Sequence, residues 1–163
     1  MAFLFKNIKE NLIGLVPLLL LFGISLSGLS VIEIKFFSAN LLYVLIYFWV
    51  LRQPDALGYG FIFLSGIIAD VLSGLPMGSF PLCLLTVSSV AAYVRNVTVR
   101  LSLLNDWISF IPAILLGNFV FFLTLYFSDF SINYIHLFTN SIFTFFLYPV
   151  TWVLFSLMLR WMR

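Results

Sequence analysis

Six apolar runs divide the chain, at residues 11–32, 36–51, 58–73, 79–94, 107–127 and 134–159. Short clusters of charged residues, glycine and proline separate them. The runs are uncharged except for a single aspartate, Asp70, in the third. The second, third and fourth runs hold only about 16 residues, against the ~20 that span a bilayer core, so they are expected to lie with little tilt or to borrow snorkelling flanks. The sixth is long and contains Pro149, which predicts a kink or a strong tilt.

Composition turns this pattern into a class. Of 163 residues, 63% are apolar and 9% charged, and the mean hydropathy is +1.17. Water-soluble domains carry about 25% charged residues. The expectation is an all-α integral membrane protein, with six transmembrane helices in one compact bundle spanning residues 1–163. Spans and short turns then use nearly all of the length, leaving no room for a soluble catalytic domain. Lys6 and Lys9 precede a first run of about 21 residues, longer than the 7–15-residue core of a signal peptide, so a retained first span is expected.

Charge supplies direction. Lys6, Lys9, Arg52, Arg95, Arg100, Arg160 and Arg163 are seven of the eight basic residues, and all fall on one side of a six-span arrangement; Lys35 falls opposite. Under the positive-inside rule both termini are cytoplasmic. Trp49, Tyr59, Tyr93, Trp107 and Trp161 fall at the inner boundary of that arrangement, and Tyr126 and Tyr134 at the outer one, where amphipathic rings prefer to sit. The net charge of +2, spread singly, does not form the basic patch that nucleic acid needs. The lone Cys83 excludes an internal disulfide and reads as lipid-facing or packed filler.

Asp70 stands out as a carboxylate inside the third run. A charge in hydrocarbon costs at least about 2.5–3.5 kcal/mol, so it requires a task or a partner. It lies near the carboxyl end of its helix, where the helix dipole disfavours an anion. The turn that follows, Ser73-Gly74-Leu75-Pro76-Met77-Gly78-Ser79, is rich in turn formers, and Ser79 with Pro81 reads as a helix cap and a first-turn proline. Free N–H groups at that helix start are one candidate partner for Asp70; Lys35 is the other. The resulting hypothesis is that Asp70 pins the hairpin of spans three and four, or meets a partner subunit.

Ser65, Ala69 and Ser73 recur every four residues along the third span, beside a row of Ile62, Gly66 and Asp70. Small residues so spaced let two helices approach closely in lipid, within the chain or with a partner. This makes span three the expected central packing element. Gly23 and Ser27 in span one, with Ser65, Ala69 and Ser73, are the candidate partner-facing positions. On the inner side, Pro54 ends span two and Gly58 opens span three; the turn between them reads as solvated, where a local Arg52–Asp55 contact would be an exposed pair worth little, or as a docking site for a cytoplasmic partner. Asn40, Asn118 and Asn140 read as internal glue between helices, and His136 as an interfacial side chain without metal-ligand neighbours.

The run from Tyr47 to Leu82 resembles the rod shape-determining protein MreD family. The family pattern is an arginine-proline turn, a glycine-initiated span closing on G-[LI]-[LI]-x-D, then a glycine-bearing turn; it falls here on Arg52, Pro54, Gly58, Gly66, Asp70, Gly74 and Gly78, with Pro76 inside the turn. The resemblance implies a non-enzymatic scaffold, without cofactor, in the bacterial inner membrane. Its implied partners are an MreC-like protein, the MreB cytoskeleton, and RodA with a class B penicillin-binding protein that makes peptidoglycan. The family's fold is similar to the substrate-binding subunits of energy-coupling-factor transporters, so the competing expectation is a vitamin-binding subunit with a polar outward pocket. No nucleophile-base pair or metal cluster within the spans points to catalysis.

Overall fold

The structure is a computed structural model that describes residues 15–28, 31–34, 37–98, 102–130 and 134–162. It is predominantly helical: α1 (Leu15–Leu26), α2 (Leu41–Arg52), α3 (Tyr59–Ser73), α4 (Ser79–Val97), α5 (Leu103–Phe127) and α6 (Tyr134–Met162). Three segments, Ser79–Val97, Leu103–Phe127 and Leu137–Arg160, are long and apolar enough to cross a membrane.

The first two expected spans differ most from expectation. The first helix stops at Leu26 and the second begins at Leu41. Between them Val31–Ile34 (β1) and Phe37–Asn40 (β2) form a two-stranded antiparallel hairpin with Ile34 opposite Phe37 and Val31 opposite Asn40. The predominantly helical fold thus carries one short hairpin. Val31-Ile32-Glu33-Ile34 pairs β-branched residues with a charge in alternation, which suits a pleated strand better than a helix. Asn40 ends β2 and caps α2, its side-chain oxygen accepting the Tyr43 N–H at 3.2 Å. The Asn40 N–H donates to Thr144 Oγ1 of α6 at 2.9 Å, so the outward side of this strand end is satisfied by a helix.

The centre of the molecule is α2, not α3. Every residue from Leu42 to Leu51 is buried. A helix apolar on all sides needs neighbours on all sides, and α4, α5 and α6 all contact it, with β2 packed on α6. Tyr47 of α2, Phe110 of α5 and Tyr148 of α6 meet with ring centroids 4.7–5.8 Å apart, joining three helices through one aromatic cluster. By contrast α3 buries one row only: Ile62, Ser65, Gly66, Ala69 and Asp70.

Helix α5 begins at Leu103, four residues before the expected boundary, because Ser102 caps it and Asp106 lies buried in its first turn. Asn118 of α5 donates to Ser141 Oγ of α6 at 2.6 Å, a polar tie between apolar helices. Helix α6 continues through Pro149.

Candidate functional site

The Asp70 turn is built from both of its ends. Helix α3 closes on Gly74, whose φ of 64° is a left-handed value that glycine adopts without a Cβ penalty. The Gly74 and Leu75 N–H groups both donate to the Asp70 backbone carbonyl, the latter at 3.0 Å. Four residues on, Gly78 has φ 103° and is the N-cap of α4. Glycine is required there as well, yet it offers no side-chain acceptor to the new helix.

Asp70 provides that acceptor from the preceding helix. Its Oδ2 accepts the Gly78 N–H at 2.7 Å and its Oδ1 accepts the Phe80 N–H at 2.9 Å. The carboxylate thus sits at the amino end of α4, where the dipole favours an anion, which offsets its unfavourable place at the end of α3. Ser79, expected as the cap, is instead the first helical residue. Its hydroxyl donates to Pro76 O at 2.9 Å and its N–H to the same carbonyl at 3.2 Å, which fixes the turn from inside. The alternative partner Lys35 lies outside the described residues.

Close approach of the two helices is set at Gly66. A Cβ there would lie 2.6 Å from Pro81 N and 2.7 Å from Pro81 Cα, so α4 is seated directly on the α3 backbone. Ser65 turns its hydroxyl back to Ile62 O at 2.8 Å, and Ala69 is fully buried. The small-residue row therefore packs within the chain at Ser65, Gly66 and Ala69, while Ser73 is exposed. Of the residues proposed to face a partner, only Ser73, Gly23 and Ser27 are exposed. Cys83 is packed, its thiol donating to Ser79 O at 2.8 Å.

At the other end of α3, Pro54 opens a short 3-10 turn (Pro54–Ala56) and Gly58 caps the helix, its carbonyl accepting the Phe61 and Ile62 N–H groups at 2.9 and 3.2 Å. Apart from Gly66 at its middle, the motif residues fall at the two ends of a 15-residue helix, about 22 Å apart at 1.5 Å per residue, and do not converge on one pocket.

Arg52 belongs to a cluster that the sequence analysis missed. Its partner among the described residues is Asp106, 54 positions away: Arg52 Nη2 donates to Asp106 Oδ2 at 2.9 Å, while the side chain of Asp55, the partner expected from the sequence, lies outside the described residues. Trp152 Nε1 of α6 donates to the same oxygen at 3.1 Å. The guanidinium lies 5.3 Å from the Trp152 ring centroid and 5.7 Å from that of Phe48, within cation-π range of both. Arg52 retains 24% exposure and Asp106 only 1%, so the carboxylate depends wholly on these donors. One ion pair thereby ties the carboxyl end of α2, the amino end of α5 and α6. Both charges suit their helix ends, Arg52 in a last turn and Asp106 in a first turn. That matching, with both residues on the same expected side of the bilayer, is the signal that could have paired them.

Among the described residues there is no group of three His, Cys, Asp or Glu able to hold a metal ion. Both oxygens of Asp70 are engaged by backbone donors, so the arrangement is one that fixes geometry. His136 lies in α6, its side chain outside the described residues. Comparison with family models, with curated proteins and with solved structures finds no match to this chain.

Proposed function

We propose that this chain is a non-enzymatic scaffold subunit of the bacterial cell-elongation machinery, a multi-pass protein of the inner membrane that helps organise peptidoglycan synthesis. The observation that carries the reading is the Asp70 turn. The residues of the family pattern at Gly66, Asp70, Gly74 and Gly78 each have a distinct physical task in one interlocked helical hairpin. A pattern arising from membrane composition alone would not require two left-handed glycines, one glycine seated under a proline, and a carboxylate shared between two helix ends.

In this reading the chain crosses the bilayer six times with both termini cytoplasmic. Helix α2 has 12 residues and is about 18 Å long, short of the ~30 Å hydrocarbon core. Strand β2 runs into it without a break and adds about 13 Å, which brings the pair to the thickness of the core. Strand backbone at that depth is tolerated where protein covers it, and Ala39 and Asn40 are buried. Seven of eight basic residues then lie on the cytoplasmic side.

The partners we propose are an MreC-like protein, the MreB cytoskeleton, and RodA with its class B penicillin-binding protein. Their contacts fall on the faces of α1 and α3 that the bundle leaves open, including Gly23, Phe63, Leu64, Val71 and Leu72. The test is to purify the tagged chain from native membranes after mild crosslinking and to identify what accompanies it by mass spectrometry. The reading predicts an MreC-like protein and peptidoglycan-synthase subunits. Recovery of transporter ATPases, or of a bound vitamin alone, would overturn it.

A further inference from the structure

The first turn of α5 grips α6 on both sides of Pro149. A proline has no N–H, so in a continuous helix it leaves the carbonyl four residues earlier without its usual donor. For Pro149 that carbonyl belongs to Phe145. The donor comes from another helix: Trp107 Nε1 of α5 lies 3.0 Å from Phe145 O. The indole also stacks on the Phe145 ring at 4.9 Å and 18°. The preceding residue, Asp106, accepts the Trp152 Nε1 N–H three positions beyond the proline. Two successive residues of α5 therefore hold α6 at Phe145 and at Trp152.

Around these points threonines of α6 bond back to the helix's own carbonyls. The Thr151 hydroxyl donates to Leu147 O at 3.1 Å and to Tyr148 O at 2.9 Å, and the Thr144 hydroxyl donates to Asn140 O at 2.6 Å. Back-bonding of this kind competes with the helix ladder and favours bending. Beyond the proline, Val150, Val153, Leu154 and Leu157 are all exposed. This half packs on the core through Trp152, Leu159 and Phe155, the last against Phe48 and Trp49 at 5.2 and 6.2 Å.

We propose that α6 is hinged at Pro149 and that the Asp106–Trp107 turn of α5 is a clasp that sets the position of its carboxyl-terminal half. Any contact that rotates the start of α5 then acts on α6 at Phe145 and Trp152, and the hinge converts it into a displacement of residues 150–162 relative to the start of the helix. The device is independent of the scaffold reading, because it rests on contacts within the chain.

The test places nitroxide spin labels on the full-length chain in lipid nanodiscs, in a Cys83→Ser background, and measures distances by double electron–electron resonance. One pair joins Ser89→Cys on α4 to Leu157→Cys, and the control pair joins Ser89→Cys to Phe138→Cys on the first half of α6. Trp107→Phe removes the indole N–H and keeps a ring for the stack. A bend of about 20° at the proline moves the helix axis roughly 4 Å at residue 157, eight residues and about 12 Å beyond it. The expected result is a shift or broadening of about that size for the 89–157 pair and none for 89–138. Adding Pro149→Ala to Trp107→Phe restores a helical donor to Phe145 O and returns the parent distribution. Trp152→Phe, which releases the other arm, also shifts the 89–157 pair. An unchanged 89–157 distance in Trp107→Phe, an equal shift in the control pair, or failure of Pro149→Ala to rescue would each overturn the proposal.

Discussion

Replacing Asp70 separates its role as an acceptor from the cost of carrying its charge. In Asp70→Ala the Gly78 and Phe80 N–H groups lose acceptors at 2.7 and 2.9 Å. Each hydrogen bond to a charged group contributes about 1.5–3 kcal/mol. Removing the buried carboxylate returns part of its desolvation cost, so the expected net loss is about 3–4 kcal/mol. Asp70→Asn keeps one acceptor oxygen but turns an NH2 group toward the other N–H, leaving one donor opposed by another. Its expected loss is about 2 kcal/mol, since one neutral bond survives. The assay is reversible unfolding of the purified chain in mixed micelles with increasing SDS, followed by tryptophan fluorescence. If Asp70→Ala unfolds within about 0.5 kcal/mol of the parent, the range of ordinary surface substitutions, the carboxylate is not holding the turn. Equal losses for Asn and Ala would also refute the reasoning, because the surviving acceptor would then contribute nothing.

The same titration checks three further expectations. Gly66→Ala places a methyl 2.6 Å from the Pro81 backbone, so α4 must withdraw by nearly 1 Å and stretch the Asp70 bonds; the expected cost is about 1–3 kcal/mol. Gly117→Ala meets Val87 Cγ2 at 2.9 Å and Tyr43 Cε2 at 3.2 Å, both on buried side chains with little room to yield, so an overpacking cost of about 1–3 kcal/mol is expected there too. Arg52→Ala strands a carboxylate that is 1% exposed and is expected to cost about 3–5 kcal/mol. Asp106→Ala costs less because Arg52, 24% exposed, can turn to solvent, and the double variant Arg52→Met/Asp106→Leu recovers most of the loss; a double variant worse than either single one would contradict this account.

What the sequence disclosed follows the range of each interaction. The Asp70 turn was readable because its parts lie within a few residues: a misplaced charge, two glycines, and a helix start with free N–H groups; the cap itself was misplaced on Ser79 because Gly78 has no side chain to announce it. The observed α3 begins one residue from the expected boundary and ends on it, for the same local reason. The β-hairpin escaped because a short apolar run of β-branched residues does not distinguish strand from helix when hydropathy alone is followed. Centrality passed from α3 to α2 because small residues mark close approach at a single face, whereas a helix enclosed on all sides needs only continuous large apolar residues. Arg52 and Asp106 were invisible as a pair across 54 positions. Starting the fifth run only after Asp106, at residue 107, displaced the start of α5, because a charged residue buried in a helix's first turn is not seen by hydropathy. The grip of Trp107 on Phe145 needed the fold, although Pro149 announced that some donor had to be found.

The scaffold reading makes its most direct claim about cell form. The decisive measurement is cell width and length by microscopy in a rod-shaped host whose own copy of this chain is depleted, with and without the wild-type chain restored at native level. The account predicts that depleted cells widen and round while their membranes stay intact, and that the restored chain returns them to rods. Depleted cells that keep their width and elongate normally would contradict it.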